Sequence, residues 1–202
     1  MKGRGVKIRV LTVAVACTLA AVTLTGCQTK VGAAAVVDGH KISESDLNSY
    51  LTPKAQPIQV SQSGSIAPRT FVLETLVENQ LLRALLQRQG QPTDASTLAA
   101  AHDKALGGAT DADYDQQADA AGLSRKFTPI YVQKLELAYL ADGAFKSNTA
   151  AESAAAAKVP VTLNPRYGTW DPKNGITDLA KNQLPSFLHF SSNLPGDPPP
   201  SQ

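Results

Sequence analysis

The first 27 residues constrain this chain more than any other segment. Lys2, Arg4, Lys7 and Arg9 put four cations and no acid into the first nine residues, and an apolar run from Val10 to Leu24 follows directly. Charged then apolar is the order of an export signal. The run has 15 residues, whereas a helix needs roughly 20 to cross the hydrocarbon of a bilayer. A signal over residues 1–26 is therefore expected, and a permanent transmembrane anchor is the weaker reading. On this reading the folded part is expected from residue 27 onward and outside the cytoplasm.

The signal ends in Leu24-Thr25-Gly26-Cys27. This resembles the lipobox of bacterial lipoproteins: a Leu, two small residues that present a thin, extended backbone to a peptidase in the membrane, then Cys. The resemblance implies that the Cys27 thiol takes a diacylglyceryl group and that the bond before it is cut. The freed amino group then receives a further fatty acyl chain of the palmitate type. An ordinary cleaved signal, or a chance cysteine, is the alternative. One acyl chain holds a protein at a membrane only marginally, and two hold it stably. The expected location is the outer face of the cytoplasmic membrane, with the lipid bilayer as a partner and no spanning segment in the mature chain.

Cleavage before Cys27 removes four of the 19 Lys and Arg and none of the 17 Asp and Glu, leaving 176 residues with a net charge near −2. Such a charge gives no electrostatic footing for nucleic acid. Cys17 leaves with the signal, so Cys27 is the only mature cysteine and no intramolecular disulfide can form. Only 5% of residues are aromatic and Ala is abundant, which predicts one mainly α domain with a modest core and a small terminal β element.

Residues 27–33 read as a polar tether, 34–171 as a helical domain, and 172–202 as an extension disordered toward Pro198-Pro199-Pro200. Within the domain, Ala35 to Ile42 places β-branched residues around Asp38-Gly39, a two-residue hairpin turn. Ser43 is then positioned to cap a helix, with Asp46 three residues on and Ile42 and Leu47 as a hydrophobic staple. A polar loop is expected over 56–67. From Phe71 to Gln89 apolar residues recur at three- and four-residue steps, preceded by Pro68 and closed by Gly90 and Pro92. Shorter helices are expected over 94–106 and 111–121. A longer one begins near Ser124 or Thr128 and carries Phe127, Tyr131, Leu135 and Ala138 on its face, with Phe145 a candidate at its far end. Ala150 to Ala157 reads as more helix or as a linker, and Val159 to Leu163 as a short strand with Pro160 at an edge.

No catalytic or metal-binding constellation is legible. His40, His102 and His189 fall on different elements without a metal-ligand spacing, and each reads as an ordinary surface or turn histidine. Asp111-Ala112-Asp113-Tyr114-Asp115 opens like a calcium loop. Gln116, however, stands where that loop needs Gly, and Gly122 where it needs Glu, so these acids read as favouring a helix N-terminus. Nucleotide-binding glycine motifs and a serine nucleophile elbow are missing from the sequence. No metal, cofactor or small-molecule substrate is expected.

Two segments resemble the SurA and PrsA type of extracytoplasmic chaperone. Ala35-Val36-Val37-Asp38-Gly39-His40-Lys41-Ile42-Ser43-Glu44-Ser45-Asp46-Leu47 is similar to that family's opening strand, Gly turn and helix start. Val161-Thr162-Leu163-Asn164-Pro165-Arg166-Tyr167-Gly168-Thr169-Trp170 is similar to its closing strand. The resemblance covers about residues 34–171. It implies a helical chaperone domain, like the SurA N-terminal one, whose first and last strands meet. The parvulin-type prolyl isomerase domain inserted in fuller members would need on the order of 90 residues, within domain norms. Only a short Ala-rich connection precedes Val159, so the implied role is non-catalytic.

That role is an ATP-independent holdase for unfolded exported polypeptides, tethered near the site of export. The wide stripe of Leu73, Leu76, Leu81 and Leu85 is the candidate client surface, and core packing is the plainer account of the same four residues. An envelope adaptor docking one folded partner is the alternative. A solute-binding lipoprotein fits least, because few converging polar groups are visible.

Overall fold

The computed structural model describes residues 32–61, 64–172 and 174–177. The signal, Cys27, the tether up to Val31, His189 and the proline-rich tail lie outside the described residues.

Asp38 and Gly39 both take positive φ, 48° and 84°, and turn β1 (Ala33–Val37) into β2 (His40–Ser43) with Val37 opposite His40. β5 (Val161–Leu163) lies antiparallel on the other edge of β1, pairing Ala35 with Leu163 and Val37 with Val161. The strand starts two residues later than expected. Pro160 precedes it with no N–H to give, and its carbonyl accepts instead from the Asp38 N–H at 2.8 Å. The sheet order β2-β1-β5 thus joins segments about 120 residues apart in the chain.

Ser43 caps α1 (Glu44–Ser49) by accepting the Asp46 N–H at 3.0 Å, and Ile42 and Leu47 are both buried. The loop expected over 56–67 is instead a hairpin, β3 (Ile58–Ser61) against β4 (Gly64–Ile66), with Ile58 opposite Ile66. Its polar composition hid a short alternation, Ile58-Gln59-Val60-Ser61, of the kind that forms a half-buried strand.

α2 (Pro68–Arg88) begins at its proline, which tolerates the first turn because no intrahelical partner awaits an N–H there. Its wide apolar stripe has two destinations. Leu73, Val77 and Leu81 pack with the sheet residues Val37 and Leu163, while Leu86 joins Leu98, Leu137 and Ala141 in a second cluster. α3 (Ala95–Leu106) is capped by Asp94 and ends at Gly107, φ 60°. α4 (Asp111–Ala120) opens on a reciprocal capping box between Thr110 and Asp113, with Asp111 the other acid of its first turn.

A 3₁₀ turn over Arg125–Phe127 leads into α5 (Thr128–Ala144). The face expected for this helix is partly wrong. Val132, Leu137 and Ala141 are buried, whereas Leu135 is half-buried and Ala138 exposed. The reason is that α5 packs on α2 and α3 at once, which turns its apolar side away from the Leu135 and Ala138 row. The Ala-rich run forms a separate helix, α6 (Thr149–Ala156), capped by Asn148 after a turn in which Lys146 and Ser147 have positive φ. β6 (Thr169–Asp171) pairs with β7 (Gly175–Thr177). The fold therefore continues past the boundary expected at Asp171. Mainly helical with small sheets, it matches the expected class.

Candidate functional site

Three of the four stripe leucines are core. Leu73, Leu85 and Leu81 are 0%, 2% and 7% exposed, and Leu76 is half-buried. A helix packed on two sides has no such face left to offer a client in this conformation, so the expected client surface is corrected. Leu81 and Leu85 do reach the wall of a cavity of about 430 Å³ between α2, α5 and α6. Also lining it are the Glu78–Lys134 ion pair, at 3.1 Å, and Glu152, whose carboxyl is pushed up by burial and by nearby Asp142. An apolar guest there would desolvate charge without replacing it.

A second cavity, of about 320 Å³, has the opposite chemistry. Its walls include Ile58 from β3, Phe71 from α2, Tyr114 from α4, Phe127 from the 3₁₀ turn and Tyr131 from α5, closed by Leu123. The rings form a continuous set. Phe71 lies 5.7 Å from Phe127 and 5.9 Å from Tyr131, and Tyr131 lies 5.6 Å from Tyr114, all tilted. These separations fall in the range where aromatic pairs attract beyond simple burial. Gln59, Gln117 and Thr128 supply polar groups, and the lining holds no carboxylate, ammonium or guanidinium. Its volume sits at the low end of the roughly 300–1,000 Å³ typical of ligand sites.

Backbone contacts set one side of the cleft. Leu51 and Leu123 form an isolated bridge, Ser124 N–H donates to the Tyr50 carbonyl at 2.9 Å, and Gln56 N–H to the Ala121 carbonyl at 3.1 Å. Together they hold the segment before β3 against the end of α4. Phe71, Tyr131 and Phe127 read in the sequence only as helix-face residues, and Tyr114 only as part of an acidic helix start. Four elements contribute the rings and no linear spacing connects them.

His40 is exposed. His102 is not an ordinary surface residue: its Nδ1 lies 2.8 Å from Glu136 Oε1 and its Nε2 3.6 Å from Asp111 Oδ1. Glu136 is only 8% exposed. Among the described residues no three His, Cys, Asp or Glu side chains are grouped to hold a metal, and no helix is long and apolar enough to cross a membrane. The chain matches no family model, no curated protein and no solved structure.

Proposed function

We propose that the protein is a lipoprotein anchored through Cys27 at the outer face of the cytoplasmic membrane, where it holds exported polypeptides without ATP. The aromatic cleft carries this reading. An uncharged, ring-lined cavity favours apolar side chains of an unfolded segment and is indifferent to their order, because aromatic faces attract many partners weakly. The contact of β1 with β5 also supports it, since the likeness to the SurA and PrsA chaperones implies meeting terminal strands. Anchoring adds local concentration, so weak contacts suffice.

Placing a photo-cross-linking amino acid at Tyr114 in living cells tests the proposal. A broad smear of adducts with newly exported proteins is the expected result. One sharp adduct would instead establish an adaptor with a single folded partner. The purified protein should also slow aggregation of an unfolded exported protein, and no effect at several-fold molar excess would remove the holdase reading.

A further inference from the structure

We propose that α4 is a hinged wall of the aromatic cleft, latched at its N-terminal end by His102 and released as pH rises. The inference rests on the cleft being the binding site.

The two ends of α4 are held very differently. At the C-terminal end, Gly122 approaches the backbone of Lys54 so closely that a Cβ would lie 2.3 Å from the Lys54 carbonyl oxygen. The Thr52 hydroxyl donates to the Gly122 carbonyl, and Gln56 N–H to that of Ala121. That end is fixed. Before the N-terminal end stand Gly107 and Gly108, φ 60° and 96°, with nothing within 4 Å of either Cβ position. Between the ends, α4 buries a single residue, Ala118. A helix with one buried residue draws little of its position from packing.

Besides the ring contact of Tyr114 with Tyr131, at 5.6 Å, the hold on the free end is polar. His102, on α3, faces Glu136 from α5 and Asp111, the first residue of α4, and Asp103 on its own helix adds negative potential. Protonated, its ring donates from Nδ1 to Glu136 and carries a positive charge that pairs with the Asp111 carboxylate, 3.6 Å from Nε2 and beyond hydrogen-bond distance. Neutral, it keeps the proton on Nδ1 for the closer, buried Glu136, and turns the Nε2 lone pair toward the Asp111 carboxylate. Deprotonation therefore releases the α4 side of the bridge and leaves the α5 side. The hydrogen bond with Glu136 is the largest influence raising His102 above its ordinary 6.5. By linkage the latch is complete below that value and is lost as pH rises through the raised one. Tyr114 and Gln117 ride on α4 and line the cleft, so its swing widens the cavity from one side.

The test is amide hydrogen exchange on the mature chain as cells make it, at about pH 5.5 and about pH 8.5, corrected for intrinsic rates. Protection over 111–120 should fall about fivefold at the higher pH, the upper end for a partly exposed ion pair, while α2 stays unchanged. His102→Gln and Asp111→Asn should each show weak, pH-independent protection in α4, with α2 reporting that the domain is folded. A flat wild-type profile, or a wild-type response in Asp111→Asn, overturns the latch. A failure to cross-link clients at Tyr114 overturns the binding reading alone, because exchange decides the latch without any client.

Discussion

Asn164 ties the last part of the domain to its first residues: its side-chain amide donates to the Ala33 carbonyl at 3.2 Å and its N–H to the Ala34 carbonyl at 2.8 Å. With β5 beside β1, and Val159, Leu163 and Tyr167 buried, the closing segment completes a sheet that a lone hairpin cannot sustain in water. A chain ending at Lys158 should lose cooperative folding, not merely a local strand. Thermal melts followed by circular dichroism compare it with the intact chain, and an unchanged midpoint would refute the closure.

Glu44 gathers three partners from distant parts of the chain. Arg69 Nη2 donates to it at 2.9 Å and the Tyr167 hydroxyl at 2.8 Å, and Arg166 completes the ion pairs. Burial acts to raise its carboxyl, but hydrogen bonds from Tyr167, Arg69 and Arg166 outweigh burial and hold it below the ordinary 4.5. A depressed carboxyl stabilises above its unfolded value, and the benefit disappears as pH falls through the lowered one. Denaturant titrations should show stability falling below about pH 4.5, and Glu44→Gln should flatten that decline while costing about 2 kcal/mol at neutral pH.

Gly122 and Gly108 both have positive φ, but only Gly122 touches neighbouring backbone. Gly108→Ala should cost about 1 kcal/mol, the strain of a left-handed residue in open space. Gly122→Ala adds overpacking against Lys54 and should cost about 3 kcal/mol or more. Chemical denaturation of the two variants separates these effects.

Leu73 and Tyr114 should behave as opposites. Leu73→Ala opens a hole in the core and should cost about 3 kcal/mol while leaving cross-linking from the cleft intact at permissive temperature. Tyr114→Ala removes a half-buried ring from a wall with little core and should cost under about 1.5 kcal/mol. Its effect should be on how well clients are held, read as weaker suppression of aggregation.

Cys27→Ser replaces the thiol to which the lipid would attach with a hydroxyl that does not accept it. The variant should accumulate as an uncut precursor or as a soluble exported form in membrane fractionation. Full processing together with full membrane retention would remove the lipid anchor from the proposal.

Local chemistry in the sequence was enough to determine the short-range parts of this protein. Asp38-Gly39 dictates its turn, Ser43 its cap and Pro68 the start of its longest helix, because each acts on backbone atoms within a few residues. Even β5 was visible as a strand, since β-branched side chains follow a proline. The tertiary structure decided what these elements do together. Leu73 and Phe71 lie two positions apart and so on opposite sides of one helix, but which side is sealed in the core and which borders the cleft is set by the elements that pack beside them. His102 gains its partners from α4 and α5 in the same way. A side chain's surroundings depend on neighbours that chain topology brings from far away, and periodicity along one element carries no record of them.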